Sequence, residues 1–286
     1  MKNSRRKFLK IAGATAAGLG LSTTAIKALE STTAEPPRAP DPHAAPAVDT
    51  IKMGKPVIDE TAPVADVKKN PPPSKAKQWA MVVDTRQFKS SKDLEPVVNA
   101  CNKIHNIPSL NKKHEIKWIW EEEYKHLFPS LETKFLAEEV KHRPFPALCN
   151  HCENPPCVRA CPTQATFKRK DGIVLMDFHR CIGCRFCMAA CPYGARSFNY
   201  VDPRPNIEEF NPQFPTRTKG VVEKCNFCAE RLAKGQWPAC VEASNGAITF
   251  GDLDDPDSDV RKVLKNNFSV RRNVSLGTEP SVYYII

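Results

Sequence analysis

An α+β fold of two pseudo-symmetric cysteine-run modules, one inserted in the other, with peripheral hairpins and helices, is the fold class this sequence predicts. Three observations predict it. Two complete four-cysteine runs stand side by side between Cys149 and Cys191, each closed by Cys-Pro. Partial copies of the same run flank them on both sides. Short strand–turn–strand signals lie next to the runs, as at 166–177 with Lys170-Asp171-Gly172 at the turn.

The runs come first. CNHCENPPCVRACP supplies Cys149, Cys152, Cys157 and Cys161; CIGCRFCMAACP supplies Cys181, Cys184, Cys187 and Cys191. The second has the C-x2-C-x2-C-x3-C-P spacing of bacterial ferredoxins, and the first is that pattern with two extra residues before its third cysteine. A [4Fe–4S] cube needs one thiolate per iron. Three cysteines on one tight loop wrap three corners, while the fourth begins a helical turn that points away and serves the neighbouring cube. The expected sets are therefore crossed: Cys149, Cys152, Cys157 and Cys191 for one cluster, and Cys181, Cys184, Cys187 and Cys161 for another. Zinc sites usually draw on two separated C-x2-4-C pairs and fit these runs poorly. A disulfide framework fits no better, because such crowded triplets cannot pair internally without strain.

The flanking copies follow. Met81-Val82-Val83-Asp84 aligns with Val174-Leu175-Met176-Asp177, which puts Phe88, Ser91 and Leu94 in the places of Cys181, Cys184 and Cys187; the fourth position reappears, three residues late, as Cys101. After Cys225, Cys228 and Cys240, Ser244-Asn-Gly-Ala-Ile-Thr-Phe250 aligns with Cys161-Pro-Thr-Gln-Ala-Thr-Phe167, so Ser244 fills the fourth slot. Under crossed pairing, both losses belong to a single missing cube. The remaining Cys225, Cys228, Cys240 and Cys101 form a third set, and all twelve cysteines are used. With Cys101 as an ordinary buried thiol, three cysteines would remain, enough for a [3Fe–4S] centre.

The chain begins with Ser-Arg-Arg-Lys-Phe-Leu-Lys at positions 4–10 and an apolar small-residue stretch, a twin-arginine export signal or possible anchor over residues 1–29. Export by this route suits a protein that folds around its cofactors before leaving the cytoplasm. Residues 1–29 also hold six lysines and arginines and no acid, so the net charge of +10 falls to +4 for the rest, which is no nucleic-acid footprint. Residues 30–78 carry ten of the 26 prolines and read as a linker that buries no core, either a tether along a partner or plain disorder. The folded part, residues 79–286, starts with a strand at 80–83. A loop is expected at 104–108, a strand at 114–120 bearing the packing residues Trp118 and Trp120, and a charged helix at 121–140. His151 and His179 read as neighbours of the cysteine loops rather than ligands, and Lys168, Arg169, Lys170 and Arg180 as a solvated basic face. No Ser/His/Asp set, phosphate loop or paired carboxylate stands out, so no small-molecule substrate is expected.

CNHCENPPC, CIGCRFCMAACPYGAR, CNFCAERLAKGQWPAC, FGDLDDPDS and the ending LGTEPSVYYI together resemble the four-cluster iron–sulfur subunits of membrane oxidoreductases, which include those of dimethyl sulfoxide, polysulfide, tetrathionate and nitrate reductases. The resemblance covers residues 79–286. With its export signal and its missing cluster, the chain looks most like the periplasmic iron–sulfur subunit of DsrMKJOP-type complexes of sulfur metabolism. It implies two bacterial-ferredoxin-like modules and single-electron transfer through three [4Fe–4S] clusters. It also implies attachment on the periplasmic side to an NrfD-type integral membrane subunit, a multihaem cytochrome c subunit and other redox subunits. The alternative is the electron-transfer subunit of a molybdopterin polysulfide- or tetrathionate-type reductase.

Overall fold

The computed structural model describes residues 76–286, so the export signal and all but the last three residues of the proline-rich linker lie outside the described residues. The first strand, β1 (Trp79–Asp84), is buried on both faces. Trp79, Met81 and Val83 enter the main core, while Ala80 and Val82 pack on the far side against Val260, as the two-residue period of a strand dictates. Helix α1 (Ser91–Ile104) follows a capping box in which the Asp93 carboxylate accepts the Ser90 N–H at 2.8 Å. Its buried positions Leu94, Val97 and Cys101 recur at helical spacing, so Cys101 lies on the core face.

The next stretch departs from the sequence reading. The strand expected at 114–120 forms as β2 (Ile119–Glu122). Residues 115–118 leave the ladder because the Lys117 N–H bonds to Ser197 Oγ at 2.9 Å and the Trp118 indole N–H reaches Glu223 at 2.8 Å. The single helix expected over 121–140 is instead α2 (Tyr124–Leu127), a 3₁₀ turn at Pro129–Leu131 and α3 (Glu138–His142). Pro129 has no N–H to continue the first helix. β3 (Phe145–Leu148) pairs antiparallel with β2 and delivers the chain to Cys149.

Then come α4 (Pro156–Arg159), the hairpin β4 (Thr166–Lys168) and β5 (Val174–Met176), α5 (Phe186–Ala190), and the short antiparallel pair β6 (Ser197–Phe198) and β7 (Val222–Glu223). The hairpin forms where the sequence placed it; at its turn Gly172 holds φ +85°, where an added Cβ would fall 2.5 Å from the Gln78 side chain. Past the last cysteine run lie α6 (Ala229–Leu232), α7 (Ala239–Glu242), β8 (Ile248–Asp252), α8 (Asp259–Asn266), β9 (Ser269–Val270) and β10 (Val282–Ile285). One four-stranded sheet has the order β8-β1-β10-β9, with β1 parallel to β10 and antiparallel to β8.

Pairings of the same kind recur in the inner and outer parts. β4 leaves the first complete run and pairs antiparallel with β5, which enters the second; β8 leaves the last run and pairs antiparallel with β1, which enters the degenerate one. Likewise α4, carrying Cys157, packs on α5, carrying Cys187, and α7, carrying Cys240, packs on α1, carrying Cys101. The registers also correspond, with one correction. Thr166 N–H bonds to Cys161 Sγ and pairs across from Met176; Ile248 N–H bonds to Ser244 Oγ and pairs across from Val83. Thr166 thus matches Ile248, not Thr249, because the outer connection is one residue shorter. That deletion turns Phe250 inward to 1% exposure, while its apparent counterpart in the aligned motif, Phe167, points out at 40%.

Candidate metal centre

The first C-x-x-C turn of each of the three runs is closed by a left-handed residue just before its second cysteine: His151 (φ 42°), Gly183 (φ 69°) and Phe227 (φ 55°). At Gly183 nothing else fits, since a Cβ would lie 2.4 Å from the Gly220 carbonyl oxygen. The turns aim backbone N–H groups inward: Phe227 N–H reaches Cys225 Sγ, and Val222 N–H, from β7, reaches Cys181 Sγ, both at 3.5 Å. The C-terminal ending lies along the first run. Glu153 and Asn154 donate to the carbonyls of Glu279 and Thr278, Ser281 donates to that of Asn150, and the Thr278 hydroxyl bonds to Tyr193.

The structure gathers the cysteines from distant stretches. Cys149, Cys152, Cys157 and Cys191 line one cavity together with Val174, Tyr193 and Arg196. Burial, and with it the charges of Cys149, Cys157 and Cys191, pushes the Cys152 thiol up to about 12. Cys101 is pushed well up by burial and then by the charges of Cys225, Cys228 and Cys240, so the helix α1 thiol stands among the three of the last run. Cys181, Cys184 and Cys187 share the loop entering α5; Cys187 is raised by burial and by the charges of Cys157 and Cys181. Cys161 follows α4, which packs on α5; against the upward push of burial, hydrogen bonds from Thr166 and Thr163 bring it below its usual value. Cys225 is raised by burial and next by Cys149, so the groups adjoin through Cys225 and Cys149 on one side and Cys157 and Cys187 on the other.

This donor set fits iron–sulfur cofactors. All twelve cysteines are free thiols. Eight of them are buried, and Cys161, Cys181, Cys184 and Cys191 are half-buried. Several buried thiols facing one another ionise only at great cost unless cations stand among them, which an iron–sulfur core provides. At the degenerate run the fit ends. Phe88 and Leu94 are 2% and 1% exposed within the main core, and exposed Ser91 bonds through its hydroxyl to Glu121 at 2.9 Å.

The histidines and basic residues take different places. His151 is fully buried, its ring stacked on Phe227 with centroids 3.6 Å apart and its Nδ1 accepting the Val174 N–H at 3.1 Å. Burial, followed by the Lys224 charge, pushes this imidazole well below its ordinary value. His179, expected to pack beside or support the second cysteine run, is instead fully exposed. Arg169 pairs with Asp171, Arg180 with Asp177 and Lys168 with Glu153; Arg180 is exposed, whereas Lys168 and Arg169 are half-buried and Asp171 is buried, so only part of the expected basic face is solvated.

Several site neighbours escaped the sequence reading. His105 packs against Trp118 at 4.4 Å, with Nδ1 3.5 Å from Cys101 Sγ and Nε2 3.0 Å from Glu230. Lys224, next to Cys225, gives its ammonium to the carbonyls of Val174 and Cys225. Arg196 is 5% exposed and lines the Cys149 cavity. Position was the available signal: Lys224 immediately precedes a C-x-x-C, and Arg196 lies five residues after the last cysteine of a run.

Comparison with known proteins agrees with this donor set. A 4Fe-4S dicluster domain matches residues 140–203. The chain is 40% identical to the Hdr-like menaquinol oxidoreductase iron-sulfur subunit 1 of Archaeoglobus fulgidus, over 98% of this chain and 97% of that one. It is 32% identical to a selenate reductase subunit of Mesobacillus selenatarsenatis over 99% and 98% of the two chains. It is 42% identical to a tetrathionate reductase subunit of Salmonella typhimurium over 52% and 54%.

Proposed function

The chain belongs to the family of iron–sulfur subunits of membrane-associated reductase complexes, and from there we propose that it is an electron-transfer subunit with three [4Fe–4S] clusters. The first is held by Cys149, Cys152, Cys157 and Cys191, the second by Cys181, Cys184, Cys187 and Cys161, and the third by Cys225, Cys228, Cys240 and Cys101. Bound there, the clusters supply one-electron chemistry at potentials set by their surroundings. The chain's own part is to hold the thiols, aim N–H groups at sulfur and keep water from the buried sets. The matching strand registers and helix pairs support two ferredoxin-like modules, one within the other.

The observation that carries this reading is Cys101. It lies 124 residues before Cys225, yet it stands among the thiols of the last run and leaves no cysteine spare. The middle place belongs to the Cys149 set, adjoining one neighbour through Cys225 and the other through Cys187. The Cys161–Cys181–Cys184 set is the more exposed, and Ile182 and Phe186 stand open beside it at 67% and 61% exposure. A redox partner comes nearest to the wire there.

The deciding experiment is an iron and acid-labile sulfide count on anaerobically purified protein, with EPR of the oxidised and dithionite-reduced forms. About twelve irons per chain with interacting cubane signals are expected. About eleven, with a [3Fe–4S] signal on oxidation, would remove Cys101 from the ligands. Zinc in place of iron would bring down the electron-transfer reading.

The twin-arginine start and the resemblance to DsrMKJOP-type subunits support a periplasmic place and a role in sulfite or sulfur metabolism. The proposed partners are an NrfD-type integral membrane subunit and a multihaem cytochrome c subunit. No helix among the described residues is long and apolar enough to cross a membrane; attachment is assigned to the partner subunits. The likeness to a menaquinol oxidoreductase subunit supports a place in a quinol-linked redox complex. The likeness to selenate and tetrathionate reductase subunits favours a molybdopterin reductase instead. A large catalytic subunit co-purifying with the chain would decide for the second.

A further inference from the structure

Arg196 is a buried cation whose hydrogen bonds leave its charge unanswered. Its Nη1 donates to Thr166 Oγ1 at 3.2 Å and to Met176 Sδ at 3.1 Å, a hydroxyl and a thioether, neither of them charged. Its Nη2 is buried and makes no hydrogen bond. The side chain is 5% exposed and lines the cavity of Cys149, Cys152, Cys157 and Cys191. Cys157 and Cys187, the latter of the adjoining set, share one buried cluster against which Met176 packs, the thioether that Arg196 reaches; the guanidinium is raised above its ordinary value, against the cost of burial, by the charges of Cys157, Cys187 and Cys149. Thr166 and Met176 face each other across the β4–β5 hairpin, so the guanidinium is anchored to the element that connects the two inner runs.

We propose that the Arg196 guanidinium is the shared counter-charge of the two inner clusters, placed to favour their reduced states. This rests on the cluster-bearing reading above. A cube with four thiolates is anionic and gains one more negative charge on reduction. A fixed cation in a water-poor interior stabilises the reduced form more than the oxidised one, because Coulomb energy there is screened far less than in water. Burying a charge without a partner is costly, and the two thiolate-bound clusters supply the partner. The thiols that act most strongly on Arg196 are Cys157, Cys187 and Cys149, all of the two inner sets, so the Cys101 set serves as the internal control.

The test is an EPR-monitored redox titration of the purified holoprotein and of Arg196→Gln and Arg196→Lys. In Arg196→Gln the two inner clusters should become at least tenfold harder to reduce, a downward shift of about 59 mV for a one-electron couple, while the Cys101 cluster stays unmoved. Arg196→Lys keeps the charge and should restore most of the shift. Unchanged inner potentials in an iron-loaded Arg196→Gln, or equal shifts in all three clusters, would overturn the proposal. If the glutamine variant fails to load, pulsed EPR of the ¹⁵N-arginine-labelled wild type decides: nitrogen coupling to the reduced inner clusters is expected, and its absence refutes the assignment. Iron-free wild-type protein would instead sink the cluster reading itself.

Discussion

His151 and Phe227 stack face to face, with ring centroids 3.6 Å apart and planes 14° from parallel, although they come from different cysteine runs. Both occupy the third position of a C-x-x-C turn and both hold positive φ, at 42° and 55°. Non-glycine residues in that region cost on the order of 1–3 kcal/mol each. The equivalent turn at Cys181 avoids this with Gly183. The two large rings are kept because they pack against each other where the Cys149 and Cys225 groups adjoin. His151 also accepts the Val174 N–H and so ties β5 to the first run.

Phe227→Ala should therefore cost about 3–5 kcal/mol, as for other buried aromatic truncations. Phe227→Gly removes the ring and the φ penalty together, so it should recover part of that loss and no more. The reading is the temperature at which the visible cluster absorbance bleaches. A glycine variant as stable as wild type would mean that the stack contributes nothing beyond the turn.

A second relationship holds the third group in place. Arg217 and Glu223 form an ion pair at 2.7 Å with both side chains at 0% exposure. Glu223 also accepts from Trp118 and Asn199, and Arg217 donates to the carbonyls of His105 and Asn106, just past the end of α1. The pair thus joins the strand before Cys225 to the helix that carries Cys101. Breaking one side leaves a buried charge alone, so Arg217→Met should cost about 3–5 kcal/mol and Arg217→Met with Glu223→Leu distinctly less. Thermal unfolding of the single and double variants checks this, and a double variant worse than the single would contradict it.

How much of this was legible beforehand varied with range. The cysteine runs, β1 and the β4–β5 hairpin follow from local spacing and turn chemistry. Helix α1 was hidden, although Ser90, Asp93 and the Leu94–Val97–Cys101 spacing announce it, because Phe88, Ser91 and Leu94 read so readily as a decayed cysteine run. The strand at 114–120 and the helix at 121–140 were misread because tertiary hydrogen bonds from Lys117 and Trp118, and the ring of Pro129, outweigh local propensity. The outer connection, one residue shorter, could not be seen while Thr-Phe matched Thr-Phe. The placement of Arg196, Lys224 and the C-terminal Thr278 is long-range and leaves no local trace.

Cys101→Ala separates the two readings of the third group. With Cys101 as a ligand, iron should fall from about twelve to about eleven per chain and a [3Fe–4S] signal should appear on oxidation. The signals of the two inner clusters should persist, since none of their ligands changes. An unchanged iron count and spectrum would make Cys101 a packing thiol.

Ser244→Cys tests whether the degenerate site can still be loaded. The substitution puts a thiol back where the aligned position carries Cys161, at a side chain that now accepts the Ile248 N–H at 3.0 Å and donates to the Val241 carbonyl at 2.8 Å. Sulfur is the weaker partner for both bonds, so the variant should lose on the order of 1 kcal/mol. It should gain no iron. The other three positions of the missing cube fall to Phe88 and Leu94, sealed in the core, and Ser91, turned outward to Glu121. A cube needs four ligands, and here apolar packing has taken over the volume it would fill. Reconstitution with excess iron and sulfide should leave the variant at about twelve irons per chain. A rise towards about sixteen would show that the site remained open and that the packing around Phe88 yields to a cluster.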